Sequence, residues 1–320
     1  MSLLIFLNVC YEKSISVFRL SFFFVTLHSK IVNVRQFLRT DTHYFLRAKV
    51  ALCTLNISHS VKIKEVYDAL ERFAPLPLQE DWDNAGLQVG LTEAEVSGAL
   101  LCLDVTEEIV REAMAKGCNL IVSHHPLIFR KLAQVSGTDM VQRAVILAIK
   151  NDITIISMHT NLDSALGGVN HEIAKRLGLK NIGFLNPQQM NGVEYGMGTI
   201  GELPSEISAE QFVELVKKTF NCGCVITNPL IKRPIRHVAV MGGAGDCAIG
   251  AAEKAGADAF ITGEMHYHQY FDHDNIQLAV IGHYESEQFT QHLLKRIIER
   301  DCVGVECYIA ETQTNPLRYH

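Results

Sequence analysis

Three short stretches of this chain carry side chains suited to holding metal ions. Ser123-His124-His125-Pro126 sets two neighbouring imidazoles at the end of an apolar run, and Pro126 keeps His125 extended. His159-Thr160-Asn161-Leu162-Asp163 adds an imidazole and a carboxylate after a second run, and Gly282-His283-Tyr284-Glu285-Ser286-Glu287 follows a third. On a helix His283 and Glu287 share one face a turn apart, while Glu285 points elsewhere. Each stretch alone has an ordinary reading: an exposed loop pair, an Asp163 that opens the Gly167-Gly168 turn, or first-turn helix acids. Taken together, His124, His125, Asp163, His283 and Glu287 offer nitrogen and oxygen donors in the mixture that suits zinc, manganese, iron or nickel rather than calcium. The two oxygens of a Glu carboxylate can bridge two ions. His159 either ligates or orients Asp163 from behind. Two divalent metals a few ångströms apart are a common device for activating water in hydrolysis.

The surrounding elements supply a reason for these stretches to meet. Ala99-Leu100-Leu101-Cys102-Leu103 is a continuous apolar run of the kind that forms a buried strand. Thr106 caps a helix with Glu107 and Glu108 in its first turn, and Gly117 ends it. Asn119-Leu120-Ile121-Val122-Ser123 is the next strand, and helix 139–150 and strand Thr154-Ile155-Ile156-Ser157 continue the alternation. A helix over 62–73 precedes it, with Ile63, Val66, Leu70 and Phe73 on one side. The pattern recurs later: strand 237–241, a glycine loop, helix 247–255, Gly256 and strand Ala259-Phe260-Ile261-Thr262, then strand 278–281. This alternation indicates an α/β fold of two related halves, roughly 61–180 and 181–320, with largely parallel or mixed sheets flanked by helices. The strand ends would face one cleft, the edge at which α/β sheets hold ligands. Residues 180–230 join the halves and contain a helix at 208–219, opened by the Ser208/Gln211 capping-box pattern.

Other features are less specific. Gly242-Gly243-Ala244-Gly245 lies between strand and helix, where it reads as a tight turn or a phosphate cradle, without the Walker Lys-Ser/Thr. Glu264, His266 and His268 are acid/base candidates or surface residues. Asp81-Trp82-Asp83-Asn84-Ala85-Gly86 carries the single Trp of the chain and either shapes the cleft rim or packs.

Composition bounds the rest. The chain has 320 residues, 48% of them hydrophobic, enough for a large core without disulfide staples. Its formal charge of −6 disfavours wholesale binding to nucleic acid. Residues 1–60 hold seven basic and two acidic residues, a balance of +5 that leaves −11 on residues 61–320. The apolar run at 20–27 is too short to span a bilayer, and the parts of a secretory signal are out of order. Residues 1–60 are read as an N-terminal extension outside the fold rather than a targeting peptide, and Val61 as the natural start of the domain. Nine scattered cysteines, none in C-x-x-C spacing, argue against zinc fingers and disulfide frameworks and fit a reducing, cytoplasmic setting.

From about Val61 to His320 the chain resembles the GTP cyclohydrolase I type 2, or NIF-three-like, metal proteins. The resemblance rests on Asp83-Asn84-Ala85-Gly86-Leu87-Gln88-Val89-Gly90, Ser123-His124-His125-Pro126, His159-Thr160-Asn161-Leu162-Asp163, and Gly282-His283 with Glu287. It implies a two-part α/β fold, a ring-shaped homohexamer, and two divalent metal ions per protomer held by His124, His125, Asp163, His283 and Glu287. The inserted domain that some members carry between the halves is absent, and residues 1–60 have no counterpart. The expected function is metal-dependent hydrolysis of a nucleotide such as GTP, with Glu285, His159 or Glu264 moving protons. The alternatives are a non-enzymatic metal-binding ring that acts as a scaffold or regulator, and a metallophosphatase, which would need basic residues converging on the metals.

Overall fold

The computed structural model describes residues 60–271 and 273–318, together with the strands Thr26–Leu27 and Lys30–Ile31, which pair antiparallel. The chain divides into two compact units, Met1–His59 and Ser60–His320. Apart from that strand pair, the readings made of the leader, including its apolar run and its role as an extension, lie outside the described residues. Among the described residues no helix is long and apolar enough to cross a membrane.

The second unit begins with α1 (Ile63–Phe73), β1 (Gly86–Val89), β2 (Ala99–Cys102), α2 (Glu107–Ala115) and β3 (Leu120–Ser123). α3 (Met140–Lys150), β4 (Thr154–Ser157), α4 (Thr160–Ser164) and α5 (Val169–Arg176) follow. Next come β5 (Lys180–Phe184), the hairpin β6 (Gln188–Met190) and β7 (Val193–Tyr195), β8 (Thr199–Ile207), α6 (Ala209–Phe220) and β9 (Ile226–Thr227). β10 (Ile235–Met241), α7 (Ile249–Lys254), β11 (Ala259–Thr262), β12 (Gln277–Val280), α8 (His283–Glu287), α9 (Thr290–Asp301) and β13 (Cys307–Ile309) complete it.

Two mixed sheets result. The first has the order β13-β2-β3-β4-β1, parallel except for β1, which runs antiparallel to β4. The second has the order β9-β12-β11-β10-β8-β5, with β10, β11 and β12 parallel and β8 antiparallel to both of its neighbours. Every residue of β2, β3, β4, β11 and β12 is buried, as expected of apolar strands covered on both faces. One core cluster joins the halves, drawing Leu70 from α1, Val122 and Ile156 from the first sheet, Val240 and Ile261 from the second, and Leu294 from α9. Two further clusters lie under α2 with α3 and under α7.

The local signals act as their chemistry requires. The Thr106 hydroxyl accepts from the Ile109 amide, Asp139 accepts from Gln142, and Ser208 and Gln211 cap each other reciprocally. Gly117, at φ +70°, ends α2 where a side chain would strain.

Three segments differ from the sequence reading. The join at 180–207 forms four strands, β5 to β8, and β8 stays hidden from a search for continuous apolar runs because it alternates buried and part-exposed residues over its first half and carries Pro204. The helix expected over 247–255 is a 3-10 turn at Asp246–Ala248 followed by α7. Finally, β13 returns to pair in parallel with β2, so the first sheet is closed by the end of the second half.

Candidate metal centre

The C-terminal ends of β3, β4, β11 and β12 deliver the chemistry-bearing motifs to one cleft with a volume of about 760 Å³. His124 and His125 follow β3, while His159 follows β4 and caps α4, which carries Asp163. Gly282, at φ +101°, turns the chain after β12 into α8, whose single turn stacks His283 over Glu287. The structure thus brings together His124, His125, His159, Asp163, His283 and Glu287.

Every imidazole is oriented from behind. His124 Nδ1 lies 2.7 Å from the Met158 carbonyl, His125 Nδ1 lies 2.7 Å from Asp104, His159 Nδ1 lies 2.7 Å from Asp83, and His283 Nδ1 lies 3.0 Å from Glu264. A carbonyl only accepts, so His124 carries its proton on Nδ1, and the three carboxylates favour the same tautomer in the other rings. That leaves Nε2 as the free electron-pair donor, the arrangement by which an acceptor behind a histidine fixes it as a metal ligand. Asp83 is itself fixed by the amide and hydroxyl of Thr160, and Asp104 by the Thr314 hydroxyl.

The inward atoms converge on Glu287 Oε2. It lies 3.0 Å from His125 Nε2, 3.1 Å from His283 Nε2 and 3.7 Å from His124 Nε2. His125 Nε2 and His283 Nε2 are 3.3 Å apart, and His124 Nε2 lies 3.7 Å from Asp163 Oδ1. Ligands bound at about 2.1 Å around a tetrahedral ion stand roughly 3.4 Å apart, so these spacings match a metal cage. His124 Nε2 and Asp163 Oδ1 are buried and have no hydrogen-bond partner. Unpartnered buried polar atoms are costly, and a cation would satisfy both. The donor set therefore fits a metal ion, in three overlapping groups: His124, Asp163 and Glu287; His125, His283 and Glu287; and His124, His125 and His159.

The electrostatics agree. Burial opposes charge on His125, yet Asp104 and Glu287 outweigh it and lift the imidazole to about 10. Burial likewise opposes charge on His283, but Glu287 raises it to about 9. Burial lowers His124. Asp163 is pushed well up by burial and by Glu287, while Glu287 is held well below the usual carboxylate range, against burial, by the three histidines. A site that draws positive charge onto His125 and His283 this strongly suits a divalent cation.

The glycine loop after β10 serves Glu287 and cradles no phosphate. Its three glycine amides are taken up by protein groups: Gly242 donates to Asn170, Gly243 to Ser286 and Gly245 to Thr262. A Cβ on Gly243, at φ +62°, would stand 2.5 Å from Glu287 Oε1. Gly242 and Gly243 let Glu287 approach the backbone closely, while Gly245 makes room for Thr262 and Met241.

Sequence comparison places this geometry among known proteins. The family model for Duf34/NIF3 (NGG1p interacting factor 3) matches residues 61–316. The chain belongs to the Duf34/NIF3 family. It is 33% identical over 262 residues to the GTP cyclohydrolase 1 type 2 homolog of Clostridium perfringens, covering 81% of this chain and all of that one. It is 30% identical to NIF3-like protein 1 of Drosophila melanogaster, across 82% of this chain and 91% of that one. Among solved structures, the Bacillus cereus protein related to NIF3 superposes with a TM-score of 0.74 at 26% identity, covering 82% of this chain and all of that one.

Within this Duf34/NIF3 chain the remaining candidates separate. Glu264 reaches the centre through His283. Glu285 does not line the cleft, and its Oε1 accepts from Asn315. His266 pairs with Asp246, and His268 is exposed and stacks on Phe271. Asp104 escaped the sequence reading, and Asp83 entered it as part of a turn and of a family motif, without its role behind His159. Asp104 stands two residues beyond β2, on the sheet edge that presents His124, and that position was the available signal.

Proposed function

We propose that this protein is a dinuclear metal-dependent hydrolase of a small molecule, with a nucleotide such as GTP as the first substrate to test. His124, Asp163 and Glu287 would hold one divalent ion, and His125, His283 and Glu287 the other. The observation that carries the reading is the convergence of three Nε2 atoms on Glu287 Oε2, beside a buried His124 Nε2 and Asp163 Oδ1 that no protein group satisfies. Such a metal pair supplies Lewis acidity and activated water.

The chain's own residues do the remaining work. Met158, Asp104 and Glu264 aim the ligating rings. Asp83 holds His159 with its proton on Nδ1, so its Nε2 faces the cleft beside His124 and His125 and is placed to accept a proton from substrate or water. The name of the Clostridium relative, a homolog of GTP cyclohydrolase 1 type 2, supports a purine nucleotide as the opening probe. The ring-shaped homohexamer implied by the family resemblance and a cytoplasmic location belong to the same proposal, and native mass spectrometry reads the first.

The deciding experiment counts bound metal by elemental analysis and follows product formation by mass spectrometry, in wild type, Glu287→Ala and His159→Gln. The expected result is two ions per protomer and turnover in wild type, loss of both in Glu287→Ala, and metal retained with turnover reduced about 10²- to 10⁴-fold in His159→Gln. Full metal loading in Glu287→Ala would refute the assignment. Metal bound without turnover of any probe would favour the scaffold or regulator reading.

A further inference from the structure

The walls of the cleft carry information about charge that the metal ligands alone do not. Five carboxylates line it: Glu80, Asp104, Asp163, Glu264 and Glu287. Among the described residues, no Lys or Arg lines it. The adjoining cavity of about 450 Å³, which shares Glu264 and His283, has none either. Arg130 and Lys131 follow Phe129 in sequence and are exposed, but neither lines either cavity. Two divalent ions would add four positive charges to five negative ones, and imidazoles that ligate through Nε2 stay neutral. The loaded cleft thus has no surplus of positive charge with which to hold a polyphosphate, and the glycine-loop amides that might have served are already engaged.

Much of the remaining lining is aromatic and apolar, with Thr160, Asn186, Tyr284 and Asn315 as neutral polar groups beside the histidines. Trp82 and Phe129 stand on the rim 59% and 48% exposed, large values for such side chains. They meet edge to face at 6.0 Å, Phe129 meets His159 in the same way at 6.3 Å, and the exposure of both rings lets a planar guest reach them. Leu103, Pro126, Leu185, Met197 and Met241 continue the surface inward. Sites of this size, mostly apolar with a few placed polar groups, suit a compact organic ligand.

We infer that the cleft selects an uncharged planar heterocycle, of the nucleobase or nucleoside class, over the corresponding nucleoside polyphosphate. The inference rests on the metal-hydrolase reading for the identity of the cleft, and it revises that reading's substrate: the ring is recognised and the phosphates are not. Trp82 and Phe129 flank the ring, while Glu80 and Glu264 repel a phosphate chain.

Guanosine, GMP and GTP share one ring system and differ in charge, so they separate the two contributions. Their affinities for the metal-loaded full chain are measured by calorimetry near physiological salt, with metal content checked before and after because a triphosphate also chelates. Guanosine is expected to bind at least about tenfold more tightly than GTP, with GMP between them. Trp82→Ala should weaken guanosine roughly 5- to 100-fold while metal content stays at the wild-type level. Glu80→Lys should narrow the gap by strengthening GTP. GTP binding as tightly as guanosine, or no guanosine binding to protein that holds its metal, would overturn the inference. Binding in the expected order without hydrolysis of any of the three would leave it standing and remove the hydrolase reading instead.

Discussion

At the scale of single residues, the centre depends on acceptors behind the rings as much as on the ligands. Asp104 illustrates this, since one oxygen holds His125 Nδ1 and the other takes the Thr314 hydroxyl. Asp104→Ala should weaken metal binding about 10- to 100-fold by freeing the His125 ring, with the fold retained. Competition with a metal indicator dye measures it, and unchanged affinity would mean that His125 needs no support. His171 offers a test away from the centre. Its ring packs on Phe184 at 4.8 Å, its buried Nδ1 has no partner, and burial, aided by Lys175, lowers its pKa to about 4. The unfolded chain takes up a proton near the ordinary value of 6.5, so the folded state loses ground as pH falls from there toward about 4. With allowance for solvent screening, the loss attributable to this group is about 1–3 kcal/mol. Urea unfolding at about pH 7 and about pH 4.5 should show a smaller acid penalty in His171→Leu than in wild type, and equal penalties would acquit His171. The ligands were legible in the sequence because adjacent or one-turn spacings announce themselves. Asp104 and Asp83 were not, because an acceptor behind a ring needs no fixed spacing from it.

At the scale of elements, continuous apolar runs and caps revealed the parallel strands other than β13 and most helices, since a strand covered on both faces has no polar alternation to blur it. The strands of 180–207 were hidden because β8 has no continuous apolar run, with Gly201, Glu202, Ser205 and Glu206 between its apolar residues, and β5 begins with Lys180 and Asn181. The loop after β10 shows how an element can be specified by a neighbour. A methyl on Gly243 would meet Glu287 Oε1 at 2.5 Å and His283 Nε2 at 3.3 Å, at a positive φ that disfavours any side chain. Gly243→Ala should therefore displace Glu287, cost about 1–3 kcal/mol of stability and lower metal occupancy. Calorimetric melting alongside elemental analysis checks both, and a stable variant with full occupancy would show that the loop can yield.

At the scale of the whole molecule, the two related halves anticipated from the repeated pattern share one core, and the chain closes on itself. β13 pairs with β2, α9 packs on α1, and the segment beyond β13 reaches Asp104 through Thr314 and Glu285 through Asn315. Sequence alone could not assign three residues near the end of the chain to a sheet begun two hundred residues earlier, because pairing over that distance leaves no local trace. Two truncations separate the roles of this closure. Ending the chain after Gly304 removes β13 and should lower the melting temperature by about 4 °C or more. Ending it after Thr312 spares β13 but removes Thr314 and Asn315, and should leave melting nearly unchanged while metal affinity falls about tenfold. Equal melting losses in both would assign the tail a purely structural part.

That closure also sets an order of events during synthesis. While residues 307–315 are still inside the ribosome, β2 lacks its outer neighbour and Asp104 lacks the Thr314 hydroxyl, although every proposed ligand has already been polymerised. Until those residues emerge, the cleft lacks this support, so firm metal uptake would wait for the closing strand and the segment that follows it.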